Sequence, residues 1–271
     1  MAELVRAELK TEADAAAWAA RLAAAAPRAA LPAHARARVL SEAADTLARG
    51  GEAAARLIVA EVRKPLKDAR REVLRGVFTL RWASEEARRI VGEVLPLDLE
   101  PGAEGRYALV RRVPRGPALF ITPFNFPLNL AAHKVAPAVA VGLPFALKPD
   151  PRACGTAALL LGALVDAGWP AEAAVLADGE IAAVEALARH EKIRLLSFTG
   201  STRAGWRLAE VAARKHRVLE LGGSAGVFVA SDADLAAAAA RCAWGAYAYS
   251  GQTCISVQRI FVEKPVYAEF R

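Results

Sequence analysis

The stretch "ALFITPFNFPLNLAAHKVAPAVAVGLPFALK", residues 118–148, decides the fold class. Its first five residues, ALFIT, are almost entirely apolar, as a buried strand requires, and PFALK at 144–148 has the same character. Between them, the proline-containing loop PFNFP leads into a helical pattern over about residues 128–141. A strand, a helix and a second strand in this order predict a parallel pair joined by a helical crossover.

The same alternation continues towards the C-terminus. Strands are predicted at 173–177, 193–198, 217–221, 226–230 and 255–263, and helices at 153–167, 180–190, 201–214 and 232–248. The chain is therefore predicted to be an α/β protein of one or two domains with a mostly parallel sheet. Ligands bind such sheets at the carboxyl ends of the strands, so the loops to inspect are 122–127, 148–152, 178–179 and 198–202.

The upstream chain has a different texture. Residues 12–92 show helical periodicity with breaks at prolines and at a glycine pair. Residues 94–116 contain two extended runs on either side of EPGAEG, which predicts a β-hairpin. A helical region and a hairpin are thus expected ahead of the sheet.

Composition excludes several function classes. The net charge is +7, but the basic residues are spread over amphipathic helices and no nucleic-acid motif occurs, so no nucleic-acid partner is expected. Prolines interrupt the longest uncharged stretch, residues 116–132, and no membrane span is expected. The three cysteines and four histidines have no metal-site spacing, so no metal is expected. Charges near the N-terminus, including Arg21, argue against a secretory signal, and a reducing, cytoplasmic location is expected.

One sequence motif matches that of a hydrolase, but the residues around it do not. GGSAG at 222–226 matches G-x-S-x-G, but an extended segment follows it and no histidine occurs after His216. A Ser–His–Asp hydrolase is therefore excluded, and a tight glycine turn is predicted.

Four single residues keep two interpretations each on local sequence. Ser201 opens a helix, as either a cap or a phosphate ligand. Lys148 ends a buried strand, as either an edge residue or a cofactor ligand. Glu220 is either a general base in apolar surroundings or an exposed residue of an edge strand. Cys254 is either a nucleophile or a small buried hydrophobe, whereas Cys154 and Cys242 lie in helical runs and keep the structural interpretation.

Together, four motifs in order resemble the aldehyde dehydrogenase superfamily. They are the 121–150 segment with ITPFNFP and LKPD, then SFTGSTRAGW, LELGGS and SGQTCISVQR. Upstream, EVRKPLKDARREV is similar to the family's Glu-x-Gly-Lys-Pro helix, with Arg63 where glycine is usual. The resemblance covers nearly the whole chain.

The resemblance implies a fold and a division into domains. The sheet would be the family's variant of the Rossmann fold, with residues 1–93 as the helical part of the cofactor domain and 94–116 as an oligomerisation hairpin. Residues 117–248 would form the NAD(P)-binding domain and 249–271 the start of a catalytic domain. The rest of that catalytic domain, including a Glu-x-Phe-Gly-Pro motif and a final strand, is not in the sequence.

The resemblance also assigns catalytic roles. Cys254 would attack the aldehyde, and Asn125, together with the backbone N–H of Cys254, would hold the resulting oxyanion. Glu220 would activate the water that hydrolyses the thioester, with Lys134 behind it. NAD or NADP would be bound by Thr122, Pro123, Asn125, Lys148, Phe198, Gly200, Ser201 and Leu221. The aldehyde would be bound by Phe124, Phe126 and Leu130.

Two residues indicate whether the product is a free acid or an acyl-CoA and which cofactor is used. Glu220 favours hydrolysis to a free acid over acylation of CoA, because the acylating relatives typically lack that glutamate. Pro151 stands where many NAD-preferring members have an acid, so the 2′-phosphate of NADP should be tolerated. The expected substrate is a small aldehyde, with a homo-oligomer (a dimer or tetramer) or a companion chain as protein partner. The alternative is a non-catalytic cofactor-binding fragment or assembly subunit.

Overall fold

Ten strands organise the protein, described here by a computed structural model over residues 3–271. They are Arg6–Leu9 (β1), Glu93–Pro96 (β2), Tyr107–Val110 (β3), Ala118–Ile121 (β4), Phe145–Lys148 (β5), Ala174–Gly179 (β6), Leu195–Gly200 (β7), His216–Leu221 (β8), Gly226–Val229 (β9) and Arg259–Val262 (β10). Six of them form one parallel sheet in the order β1-β6-β5-β4-β7-β8, while β2–β3 and β9–β10 are separate pairs.

Ten α-helices surround these strands in the described residues. They are Glu12–Ala29 (α1), Ala33–Arg49 (α2), Gly51–Val62 (α3), Leu66–Ala87 (α4), Pro127–Val141 (α5), Cys154–Asp166 (α6), Ile181–Arg189 (α7), Thr202–Val211 (α8), Leu235–Tyr247 (α9) and Tyr267–Phe270 (α10). Short 3-10 turns occur at Pro151–Ala153, Ala171–Ala173, Ala248–Gly251 and Lys264–Val266.

The central β4–α5–β5 unit confirms the predicted parallel crossover. β4 pairs with β5 in parallel, with Ala118 opposite Phe145. The first three residues of each strand are buried, as expected for a sheet covered by helices on both faces. The predicted α/β class with a parallel sheet is therefore confirmed.

The structure adds one strand that the sequence prediction missed. β1 precedes the helical region and pairs in parallel with β6, which places Arg6 opposite Leu176. Its side chains alternate between exposed and buried, with Ala7 and Leu9 in the core. Four residues are too few for this alternation to stand out beside the long helical pattern that follows.

The last predicted strand is shorter in the structure than in the prediction. Residues 255–258 are not part of β10, so the predicted start of that strand at residue 255 was wrong. The segment is held against the end of α9 instead, where Ser256 Oγ donates to the Ala246 carbonyl at 3.0 Å and the Val257 N–H donates to the Gly245 carbonyl at 3.2 Å. Backbone groups used in this way are not available to a ladder.

Two further predictions concern the hairpin and the glycine turn. β2 and β3 are antiparallel, with Glu93 opposite Val110, which confirms the hairpin. Strand β9 follows GGSAG directly, so the extended segment that excluded a nucleophile elbow is also confirmed.

Helix α8 lies unusually close to β8 at one glycine. A Cβ atom on Gly205 would lie 2.2 Å from a methyl carbon of Leu221, so no larger residue fits without displacing that leucine. This approach packs α8 onto the edge strand that carries Glu220 and so fixes the position of the loop before α8 relative to that residue.

Within residues 3–271, none of the helices combines the length and apolarity needed to cross a membrane.

Candidate active site

Cys254 is exposed, whereas Cys242 is buried and Cys154 is half-buried. The alternative in which Cys254 fills a gap in the core is therefore wrong. Burial raises the pKa of the Cys154 thiol, which further favours Cys254 as the reactive cysteine.

A strained turn presents Cys254. After α9 ends, Tyr249 and Ser250 have φ values of 48° and 53°, and Gly251 follows at 74°. Left-handed backbone at two consecutive non-glycine residues is uncommon and needs support from the surrounding structure. Part of that support comes from Tyr249, whose hydroxyl donates to the Val62 carbonyl at 3.0 Å. Its ring also packs edge-on against Phe126, with centroids 6.2 Å apart.

Asn125 lies against the same turn. Its amide Nδ2 donates to the Gln252 carbonyl at 3.0 Å, two residues before Cys254. Its Oδ1 accepts the N–H of Phe126 at 3.1 Å, which orients the amide. An asparagine amide carries two N–H donors, and this bond accounts for one of them. The β4–α5 loop and the cysteine turn are therefore joined at the side chain that the sequence predicts as an oxyanion donor.

Lys134 lies in the protein interior beneath β7. Its Nζ donates to Ser197 Oγ at 2.7 Å. Burial lowers the pKa of Lys134 to about 8, and the negative charge of Glu220 opposes that shift. The sequence-predicted Lys134 therefore lies within electrostatic range of the sequence-predicted Glu220.

Glu220 itself is exposed on β8, the edge strand of the sheet. The sequence left two interpretations of Glu220 open, and the structure agrees with the one in which it is an exposed residue of an edge strand. The apolar neighbours Leu219 and Leu221 are only partly buried and do not enclose the carboxylate.

A cavity of about 730 Å³ opens at the carboxyl ends of the strands. Ile121 at the end of β4, Lys148 at the end of β5 and Phe198 in β7 line its floor, and side chains of α7 and α8 line the sides. Its position matches the general rule for ligand sites in parallel α/β sheets. Lys148 donates to the Pro149 carbonyl at 3.2 Å, which holds its ammonium group at the strand end.

The other predicted cofactor residues lie around these strand ends. Thr122 is buried, and its N–H donates to the Lys148 carbonyl at 3.1 Å. Ser201 is the N-cap of α8 and accepts from the Ala204 N–H at 3.4 Å, so its capping role is realised. Gly200 ends β7 and Leu221 ends β8, while Pro123 is half-buried in the β4–α5 loop.

The predicted aldehyde-binding residues lie in the loop before α5 and in the first turn of that helix. Phe124 lies under the Arg152 guanidinium, which is 3.8 Å from the ring centroid. Arg152 also forms a two-bond ion pair with Asp150, at 2.8 and 2.9 Å. Leu130 is half-buried, and its N–H donates to the Phe126 carbonyl at 2.9 Å.

Sequence reasoning missed a buried ion pair next to this site. The Lys64 ammonium donates to Glu72, and both side chains are completely buried. A signal was present, because Glu72 falls on the apolar stripe of α4 between Ala69 and Val73. A charge at such a position requires a buried partner.

Comparison with known proteins decides the family. A model described as the aldehyde dehydrogenase family matches residues 2–271. The chain belongs to this family. Aspartate-semialdehyde dehydrogenase 1 of Pseudomonas canavaninivorans is 43% identical over 243 residues, which is 90% of this chain and 52% of that protein. The 3-sulfolactaldehyde dehydrogenase of Priestia aryabhattai is 38% identical, over 86% of this chain and 49% of that protein.

Solved aldehyde dehydrogenase structures agree with the fold. The NADP-dependent glyceraldehyde-3-phosphate dehydrogenase of Bacillus halodurans C-125, complexed with NADP, has a TM-score of 0.90 at 36% identity, over 96% of this chain and 55% of that one. Aldehyde dehydrogenase 21 of Physcomitrella patens, in complex with succinate, has a TM-score of 0.89 at 37% identity, over 97% and 55%. The chain spans about half the length of the curated relatives it matches.

Proposed function

We propose that this chain carries the nucleophile, the oxyanion donor and the NAD(P) cavity of an enzyme that oxidises an aldehyde to a carboxylic acid. The observation that carries the proposal is the hydrogen bond from Asn125 to the Gln252 carbonyl, beside the exposed Cys254. Family membership supports it, because the relatives named above are aldehyde dehydrogenases.

The cavity fits a dinucleotide in position and chemistry. It lies at the strand ends, with Lys148 among the residues of its floor and the N-terminus of α8 nearby. Lys148 would bind the ribose, Ser201 the pyrophosphate, and Thr122, Phe198 and Leu221 would lie on the nicotinamide side. Bound NAD(P) would supply the hydride acceptor that the oxidation needs.

The chain's own residues supply the remaining chemistry. The Cys254 thiolate adds to the carbonyl carbon, and the C=O electron pair moves to oxygen, where the Asn125 amide and the Cys254 N–H stabilise it. After oxidation, the carbon is held on sulfur as a thioester. Glu220 takes a proton from water as the water attacks, and the acid leaves as the C–S bond breaks. Lys134 places a cation near Glu220.

The substrate is proposed to be a small aldehyde that carries an acidic group. Support comes from the similar proteins, whose names include aspartate-semialdehyde, 3-sulfolactaldehyde, sulfoacetaldehyde and succinate-semialdehyde dehydrogenases. The net charge of +7 favours attraction of such anions. For the whole protein, we also propose assembly into a homo-oligomer through the hairpin, where Val94 and Leu109 are exposed.

A second candidate is cofactor binding without turnover. It is favoured by the exposure of both Cys254 and Glu220, because catalytic groups act best where water is excluded. This candidate keeps the cavity and the strand-end residues in their proposed roles but assigns no reaction to Cys254.

Aldehyde-dependent NAD(P)H absorbance of the purified chain separates the two candidates. We expect turnover that Cys254→Ala abolishes and that the matched variant Cys154→Ala retains. Pro151 offers no carboxylate to repel a 2′-phosphate, so kcat/KM with NADP should equal or exceed kcat/KM with NAD. Cofactor binding without turnover would favour the second candidate, and a strong preference for NAD would refute the cofactor proposal.

A further inference from the structure

The buried pair Lys64–Glu72 touches the first turn of α5. One oxygen of the Glu72 carboxylate accepts from Lys64, and the other accepts the N–H groups of Leu128 and Asn129 at 2.9 and 3.1 Å. These donors would otherwise be unpaired at a helix N-terminus, where a carboxylate is also favoured by the helix dipole. Glu72 therefore fixes the start of α5, directly after Asn125 and Phe126.

The same pair touches the cysteine turn. The Lys64 ammonium lies 3.7 Å from the ring centroid of Phe126 and 4.6 Å from that of Tyr249. Cation–π attraction is strongest where the cation is desolvated, as it is here. One cation thus holds the residue that follows Asn125 and the residue that begins the turn leading to Cys254.

Stability alone is a weak reason for such a pair. The Lys64 side chain is completely buried, so its ammonium has lost hydration, and this burial lowers the pKa of Lys64. Replacing a buried ion pair by apolar residues of similar volume is often neutral or stabilising. Apolar side chains could not reproduce the directed contacts that Lys64 and Glu72 make with α5, Phe126 and Tyr249.

We propose that Lys64 and Glu72 are positioning residues that hold the oxyanion loop at Asn125 and the nucleophile turn at Cys254 in one fixed arrangement. Its catalytic meaning rests on the proposed function, but the structural coupling of the two segments does not. Neither residue touches the reacting atoms; they act through Phe126, Tyr249 and the first turn of α5.

The test is amide hydrogen exchange of the 271-residue chain. In Lys64→Met/Glu72→Leu, which removes both charges together, we expect exchange to accelerate at least about tenfold in residues 126–129 and also in 249–254. The matched control is Arg70→Met/Glu52→Leu, which removes an exposed pair between α3 and α4 and should leave both segments unchanged. Acceleration confined to 126–129, or to neither segment, would overturn the proposal.

A second variant covers the case in which the first does not fold. Lys64→Met/Glu72→Gln keeps an acceptor for the α5 amides but removes the cation. We expect residues 128–129 to stay protected while 249–254 exchange faster. Protection of both segments would overturn the proposal.

Kinetics provide a readout that a purely structural role would not change. In either double variant we expect kcat to fall about ten- to a hundredfold, with KM for NAD(P) within about twofold, because only the groups that act in the transition state are displaced. Unchanged kcat in an active chain would overturn the positioning role. Absence of turnover in the wild-type chain would count against the proposed function, while the exchange result would still decide the coupling of the two segments.

Discussion

Lys134 is a buried base whose ionisation should be visible in the stability of the protein. Its pKa lies at about 8 in the folded state, against 10.5 for an ordinary lysine. Between those values the unfolded chain holds the extra proton, so the contribution of Lys134 to stability rises with pH. Between about pH 7 and pH 10.5, the free energy of unfolding should rise by roughly 3 kcal/mol relative to Lys134→Met. Urea unfolding at several pH values measures this difference.

The comparison with Lys134→Met subtracts the titration of all other groups. A constant difference between the two proteins across this range would contradict the low pKa of Lys134. A difference that falls with pH would contradict the sign of the argument.

Individual site residues show what the sequence could and could not establish. The family resemblance, rather than local sequence, gave Asn125 and Cys254 their predicted roles, and the structure places them on adjoining segments. The exposure of Glu220 could not be decided locally, because it depends on whether another strand pairs with β8. In the described residues β8 is the edge of the sheet.

At the scale of elements, Arg63 ends α3 in an unfavourable conformation. It has φ 56° and ψ 26°, and its N–H closes the helix on the Val59 carbonyl at 3.0 Å. Left-handed backbone costs a residue with a Cβ roughly 1 kcal/mol, whereas glycine adopts it freely. Since the Arg63 side chain is exposed, we expect Arg63→Gly to raise the free energy of unfolding by about 0.5–1 kcal/mol in denaturant titrations.

The matched control is Arg63→Ala, which also removes the side chain but keeps the Cβ. We expect no gain in stability from it. If alanine stabilised the protein as much as glycine, backbone strain would not be the cause.

The elements also show why some boundaries were predictable and others were not. β4, α5 and β5 were predicted within a few residues, because strong apolar runs and a proline at the helix start mark them. β1 was missed and β10 was predicted too long, because their ends are set by distant partners, namely β6 and the end of α9. Local sequence carries no direct record of such contacts.

At the scale of the whole molecule, apolar side chains are exposed on three neighbouring elements. They are Phe228 in β9, Trp244 and Tyr247 in α9, and Phe261 in β10. Contiguous exposed apolar surface promotes association. We expect the chain to self-associate as its concentration rises, and Phe228→Glu/Tyr247→Glu to weaken that association by at least about tenfold in sedimentation velocity.

Leu74→Glu is the matched control, because Leu74 is comparably exposed but lies in α4, outside both these elements and the hairpin. An equal effect of that variant would point to charge rather than to this surface. If the chain stayed monomeric at all concentrations, the prediction of self-association through this surface would be wrong.

The contacts that build the site also bear on when it forms during folding. The bond from Asn125 to Gln252 joins residues 127 positions apart, and that from Tyr249 to Val62 joins residues 187 apart. Closing loops of this length costs chain entropy before any contact repays it, so such pairings follow the local helices. The thiol environment of Cys254 is therefore completed late, and a chain that is still being synthesised or refolding has its local helices before it has a site.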